Sequence, residues 1–445
     1  MIEVIHPFRL PAYRFFWAAR LASTLASSLM VVVIGIHVYD IARETMSIER
    51  AAFWLGMVGL AQFLPLLLLT LVAGYVADRI DRKLIVRACL ALELVCAAFL
   101  AADTWAGSIG LPGLFLVAVL LGIGRAFAGP ALSAFAPNLV PPPSLPTAIA
   151  LSSIAWQAGN IAGPLIGGVA YAVDRGLPYA LSVVLFGVSL AAISMVGRIP
   201  LGEARGSNPL GAVVEGLRYV RGNPIVLGAI TLDLFAVLLG GATALLPVYA
   251  RDILHVGAEG LGALRAAPAA GAALTALVLS RWPLRRQVGI KMFACVGLFG
   301  LSTVVFGLSR AMPLSLAALV VLGAADMISV YVRSSLIQLH TPDGMRGRVS
   351  AVSGLFVSAS NELGEFRAGL AGAWLGPQAA VVIGGALAVV VTGVAAVLFP
   401  SLRRADRFVA PDAAILDSAG GKTEPAPEAP AMVAGQDIKA EKGLS

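Results

Sequence analysis

A chain of 445 residues that is 58% hydrophobic and 13% charged is too apolar for a soluble globular protein, because soluble domains average about 45–50% apolar and about 25% charged. Its formal net charge of +7 does not point to nucleic acid, since the basic residues sit in short segments between apolar runs and form no phosphate-binding patch. Cys89, Cys96 and Cys295 lie inside apolar runs without metal-ligand spacing and read as small buried hydrophobes.

The opening stretch MIEVIHPFRLPAYRFFW has no small-residue cleavage pattern, so the first apolar run is expected to be kept. With about 20 apolar residues to a crossing, the sequence predicts an all-α membrane protein with twelve transmembrane helices. The first six fall near 14–40, 52–77, 84–103, 112–136, 146–173 and 178–197. The second six fall near 223–249, 259–280, 289–309, 313–340, 347–374 and 377–399. A polar linker with a short amphipathic helix, 198–222, separates a six-helix half at 1–197 from another at 223–400. The tail 401–445, rich in Pro, Ala, Gly and charge, is expected to be disordered.

Lysines and arginines cluster on one set of loops, among them Arg9, Arg14, Arg82, Lys83, Arg281, Arg285, Arg286, Lys291, Arg346 and Arg403. The other set has only Arg43, Arg50, Arg175, Arg251 and Arg310. By the positive-inside rule both termini are expected to be cytoplasmic. The halves also repeat: Gly59, Gln62 and Pro65 of span two return as Gly262, Arg265 and Pro268 of span eight, and Asn160 and Gly163 return as Asn361 and Gly364. Duplicated halves related by an axis along the membrane normal are typical of secondary transporters with a midplane site.

Three stretches carry the chemistry. After span two the chain reads Gly74-Tyr75-Val76-Ala77-Asp78-Arg79-Ile80-Asp81-Arg82-Lys83. There glycine allows close helix approach, and the acid and bases suit a lock between helix ends. A plain basic loop would explain the bases but not Gly74 with Asp78. Span four holds Arg125 near the midplane, costly unless paired or hydrated, and either functional or satisfied by backbone carbonyls. Span five contains GNIAGPLIGG, with Gly159, Gly163, Pro164, Gly167 and Gly168. It reads as a close-packed hinge pressed on span eight near Ala266–Gly271, shutting the inner half of the exit path; generic small-residue packing is the bland alternative.

The first stretch resembles the signature loop of the Major Facilitator Superfamily, G-x-x-x-D-R-x-G-R-[KR], with Asp81 in place of the second glycine. GNIAGPLIGG matches that family's fifth-span pattern G-x-x-x-G-P-x-x-G-G, characteristic of its drug/proton antiporter-like exporters. Arg125 is similar to an arginine these antiporters associate with proton transfer. FRLPAYRFFWAARLAS, DLFAVLLGGATALLPVYARDIL and HTPDGMRGRVSAV resemble the branch that holds the bacterial enterobactin (siderophore) exporter. The resemblance implies two pseudo-symmetric six-helix bundles in a bacterial inner membrane, moving a siderophore- or drug-like molecule out by alternating access in exchange for protons. It implies a monomer whose partners are a small-molecule substrate, protons and the lipid bilayer, with no cofactor and no nucleic acid. A lipid or lysolipid flippase, a facilitator of the same fold, and a non-transporting sensor or scaffold are the rivals. No G-x-x-x-x-G-K-[ST] or catalytic set is present in the sequence, which argues against ATP as the driving force and against an enzyme.

Charges inside spans are functional candidates. Asp233 and Arg333 are expected as a pair, either switching or static. Asp326 is placed opposite Arg125 by the repeat, as coupling acid, substrate contact or packed pair. Glu362 and Glu365 share a helix face, and Glu365 with Arg265 suggests an outer gate, a charge relay or a static network. Arg367 lies on the same span. Glu93, His37, Asp40 and Arg20 are read as structural, the middle two at a solvated helix end and Arg20 snorkelling inward, with a cavity position in span one as the alternative for Arg20. Trp17 is expected as an interfacial anchor, and Trp156 and Phe127 as cavity-lining residues.

Overall fold

Proline opens helix after helix in this chain, because its missing N–H falls where no intrahelical bond is made. The computed structural model describes residues 6–133, 139–197, 209–284, 286–342 and 345–408. Twelve long helices run through them. The first six are α1 (Pro11–Thr45), α2 (Ile48–Arg79), α3 (Arg82–Trp105), α4 (Leu111–Ser133), α5 (Leu145–Val173) and α6 (Leu177–Met195). The second six are α7 (Pro224–Gly240, continued irregularly to Ile253), α8 (Gly257–Arg281), α9 (Val288–Leu308), α10 (Met312–Leu339), α11 (Arg346–Leu375) and α12 (Pro377–Leu398). Among the described residues 10 helices are long and apolar enough to cross a membrane. The remaining two, α5 and α11, are repeat mates. Gln157 and Asn160 dilute one, and Asn361, Glu362, Glu365 and Arg367 dilute the other.

The duplication is visible in the packing. α1 lies on α5 and α6, α2 on α4, and α3 on α4 and α6; six helices on, α7 lies on α11 and α12, α8 on α10, and α9 on α10 and α12. The halves meet where α2 crosses α11 and α5 crosses α8. The loop expected to resemble the family signature closes differently at one point. Asp81 caps α3, its carboxylate accepting the Lys83 amide at 2.9 Å, so the residue standing in for glycine starts a helix. Lys83 Nζ donates to the Ser194 carbonyl at 2.9 Å and to that of Val196, tying α3 to the end of α6. The side chains of Gly74, Asp78 and Arg79, and all of Arg285, lie outside the described residues, as do 198–208 and the tail from 409.

The linker helix, Pro209–Gly222, is fastened to the second half. Glu215 pairs with Arg348 at 2.7 Å, Tyr219 donates to the His340 carbonyl, and Val220 joins a cluster with Val226, Ile337, Val349 and Val352. On the opposite side of the bilayer, Trp105 donates to Asp174 at 2.8 Å. That bond, with the Gly176 and Leu177 amides, holds the Asp174 carboxyl below its usual range.

One span is broken. α7 stops at Gly240, and the chain continues through a 3-10 turn, Thr243–Leu245, to a π-turn at Tyr249–Ile253. Carbonyls freed by such a break in a bilayer must find donors within the protein. Arg367 supplies two, Nε to Leu238 O at 2.8 Å and Nη2 to Leu239 O at 2.6 Å. Arg265 supplies a third, to Thr243 O at 2.9 Å. Replacing Arg367 by Met strands both carbonyls and is expected to destabilise the fold by about 2 kcal/mol or more, read as a lowered melting temperature in detergent. Melting unchanged from the parent would show that the break needs no such clamp.

Candidate functional site

A cavity of about 670 Å³ lies between the halves. Toward the loops that carry Arg82 and Lys83, here called the basic face, its lining reaches Val86, Leu132 and Ile193, each near the end of its helix. Its charged residues are Arg20, Glu93, Arg125, Arg265, Glu362 and Glu365. Four of them form two pairs. Arg125 Nη2 meets Glu362 Oε1 at 3.1 Å, linking α4 of the first half to α11 of the second. Arg125 Nη1 also donates to Gln62 at 3.3 Å. Arg265 meets Glu365 at 3.4 Å, and Glu365 in turn rests against Gly59 of α2.

This layer closes the cavity. Beyond it a second space of about 30 Å³, lined by Gly35, Leu55, Val58, Pro247 and Leu261, shares Gln62, Arg265 and Glu365 with the first. Further out the helices touch. A Cβ on Gly56 would lie 2.8 Å from Gly369 Cα, and one on Gly168 would lie 2.9 Å from Gly262 Cα. Both contacts join opposite halves through bare backbone, the property that small residues confer on membrane helices. At the rim the ends of α1 and α7 clasp each other. Arg43 meets Asp252 at 3.1 Å, Arg251 meets Asp40, Tyr39 donates to Asp252, and Tyr171 donates to Asp40 at 3.0 Å. The protein is therefore shut on the face opposite the basic loops.

Several sequence expectations change here. Arg125 pairs with Glu362, while Asp326 lies outside the lining of the cavity and has no ion-pair partner among the described residues. The repeat put Asp326 at a suitable depth but said nothing about which face of α10 it occupies. Asp233 and Arg333 do meet, at 5% and 6% exposure, in a pair buried away from the cavity lining. GNIAGPLIGG presses mainly on α1: Gly159 faces Thr24, Gly163 faces Ser28 and Leu25, and Gly167 faces Leu29 and Val33. The stretch meets α8 through Pro164, Leu165 and Gly168, at Ala258 and Gly262 instead of Ala266–Gly271, so the seal is on the half away from the basic face. α5 runs unbroken through Pro164.

Three residues read as structural belong to the site or its gate. Asp40 is in the clasp, while His37 stays structural but is buried and bonds Tyr179 at 3.0 Å, so neither is at a solvated helix end. Arg20 and Glu93 line the cavity, and Glu93 lies beside Gly124. The signal for these was available, since Glu93 continues the Val86, Cys89, Leu90 face at helical spacing. Trp156 lines the cavity and Phe127 is not among its lining residues. Trp17 donates to Leu151 O at 2.8 Å, holding α1 to α5 instead of acting as an interfacial anchor.

A duplicated helical bundle around a closed-ended, charge-lined midplane cavity defines a multi-pass membrane transporter of the secondary type. Residues 2–415 match the family described as transmembrane secretion effector, and the chain belongs to that family of the Major Facilitator Superfamily. It is 25% identical over 396 residues to the enterobactin exporter EntS of Citrobacter koseri, covering 88% of this chain and 93% of that protein. Its fold is similar to a bacterial homolog of the human lysosomal transporter Spinster in an inward-facing, unoccupied conformation, at a TM-score of 0.68 and 16% identity, over 88% of this chain and 97% of that one. It is likewise similar to a D-xylose-proton symporter, at a TM-score of 0.65 and 15% identity, over 85% of this chain and 96% of that one.

The clasp generates a direct expectation. In a cysteine-free background bearing Leu55→Cys, Asp40→Asn with Asp252→Asn should speed labelling by an impermeant maleimide applied opposite the basic face. An unchanged rate would mean that these pairs do not hold the gate shut.

Proposed function

We propose that the protein exports a small organic molecule from the cytoplasm by rocking its two halves, 1–197 and 223–400, and exchanges that molecule for protons. The observation that carries this reading is the Arg125–Glu362 pair, an ion pair in the cavity wall that joins the halves. A proton on Glu362 removes the negative charge that holds Arg125, and a donor group on the cargo needs that same charge, so proton and cargo compete for the Glu362 carboxylate. The basic loops, by the positive-inside rule, face the cytoplasm, which makes the present state one that loads from inside. A siderophore- or drug-like cargo is supported by the enterobactin exporter relative and by a cavity of about 670 Å³ that mixes charge with apolar wall. A single chain encloses the whole cavity, so the working unit is a monomer.

The proposed coupling residues are Arg125, Glu362, Glu365 and Arg265. Asp233 and Arg333 serve as a fixed brace, and Asp326 remains a second candidate acid. Gly74, Asp78, Arg79, Arg82 and Lys83 are assigned to closure on the cytoplasmic face, Gly159, Gly163 and Gly167 to the wall that holds α1, and Pro164 and Gly168 to the contact with Gly262 of the other half. Proteoliposomes with an imposed pH gradient, challenged with a cargo panel that includes catecholates, test the reading. Gradient-driven uptake should appear in the parent and vanish in Glu362→Gln, while cargo-for-cargo exchange without a gradient persists. Uptake in the parent that ignores the gradient would make it a facilitator.

A further inference from the structure

Of the three guanidiniums in the cavity, two are occupied: Arg125 by Glu362 and Arg265 by Glu365. Arg20 has no such acid among the described residues. Its Nε is fully buried and has no hydrogen-bond partner among the described residues. A buried N–H left without an acceptor is expensive, and more so when charged. A carboxyl can meet that cost by holding a proton, but a guanidinium keeps its charge at any physiological pH. Nε is out of a solute's reach, but Arg20 is only part-buried, lines the cavity and is paired with no carboxylate among the described residues, so its counter-charge has to come from the cavity.

The same stripe of α1 offers more donors. Thr24 and Ser27 follow Arg20 at i+4 and i+7, which brings all three to one face, and all three line the cavity. Neither hydroxyl has a hydrogen-bond partner among the described residues. Their neighbours are already committed. Ser23 donates to Arg20 O at 3.2 Å, Ser28 to Asn160 at 2.7 Å, and Ser189 to Ala19 O at 2.9 Å. Gly159 of α5 packs against Thr24 and holds it in place.

We propose that Arg20, Thr24 and Ser27 form an oxyanion subsite in the first half, which binds the carboxylate-like end of a small amphipathic cargo. The guanidinium offers a planar fork matched to two oxygens, and the hydroxyls supply donors farther along the helix. The second half contributes only paired charges to the cavity, so the polar end of the cargo travels with the first half. This assignment rests on the transport reading for its cargo, but its test needs no transport.

The test is isothermal titration calorimetry on the full chain in phosphatidylcholine nanodiscs. The probes are 2-naphthoate and its neutral isostere 2-naphthamide. The parent should bind the naphthoate at least about tenfold more tightly, the worth of a charge-assisted contact. Arg20→Gln should abolish that preference, and Arg20→Lys should keep part of it. Thr24→Val with Ser27→Ala should weaken the naphthoate by a few-fold and leave the naphthamide alone, and this variant serves if Arg20→Gln does not fold. Equal binding of the two probes by the parent would overturn the subsite, as would a preference that survives Arg20→Gln at unchanged melting. Loss of naphthoate binding in phosphatidylglycerol nanodiscs would give the subsite to a lipid headgroup and overturn the cargo assignment. Selective binding without transport in vesicles would sink the exporter reading and leave the subsite standing; transport with no preference for anions would do the reverse.

Discussion

A helix broken inside a bilayer leaves carbonyls that water cannot reach, and at the centre of this protein guanidiniums take water's place. Arg367 and Arg265 hold the Leu238, Leu239 and Thr243 carbonyls, and the rest follows by obligation. Arg265 needs a counter-charge and finds Glu365. Glu365 brings with it Glu362, one turn away, which needs a cation and finds Arg125 across the interface. The break in α7 is thus connected, through compulsory pairings, to α4 of the other half. Each link exists because an unpaired polar group in hydrocarbon costs several kcal/mol, to order of magnitude.

The ion pairs fall into two energetic classes. Asp233 and Arg333 are nearly inaccessible, and taking one partner from such a buried pair costs about 3–5 kcal/mol. Arg43 and Asp252 keep 23% and 15% of their side chains exposed, where pairs are worth about 0–1 kcal/mol. A strong pair suits a brace, and a weak one suits the clasp that the proposed rocking of the halves would open. The glycine contacts behind the clasp, Gly56 on Gly369 and Gly168 on Gly262, provide closeness without charge. Closure therefore depends on shape, and the clasp biases it.

The spans were legible because apolar length is a direct consequence of bilayer thickness, and the repeat because glycine and proline mark close approach wherever they fall. Depth was legible too, since Asp233 and Arg333 could be matched by counting from helix ends. Azimuth was not: one residue of rotation decides whether Asp326 or its neighbour faces a partner, and no local pattern in an apolar helix records it. The clasp was hidden for a different reason. Asp40 and Arg251 are far apart in sequence, and each alone looks like an ordinary charge at a solvated helix end. Asp81 shows the reverse case, in which a departure from the family loop has a local explanation as a helix cap.

The clasp is also electrically silent. α1 contributes Asp40 and Arg43, and α7 contributes Arg251 and Asp252, so each half brings one positive and one negative charge. Moving a unit charge through the membrane field takes about 2.3 kcal/mol per 100 mV, but a swing that carries equal and opposite charges together takes almost none. Opening the clasp, as the proposed cycle requires, would therefore take almost no work from the membrane voltage. Any voltage dependence in the proposed cycle would then belong to whatever crosses the bilayer and not to the clasp.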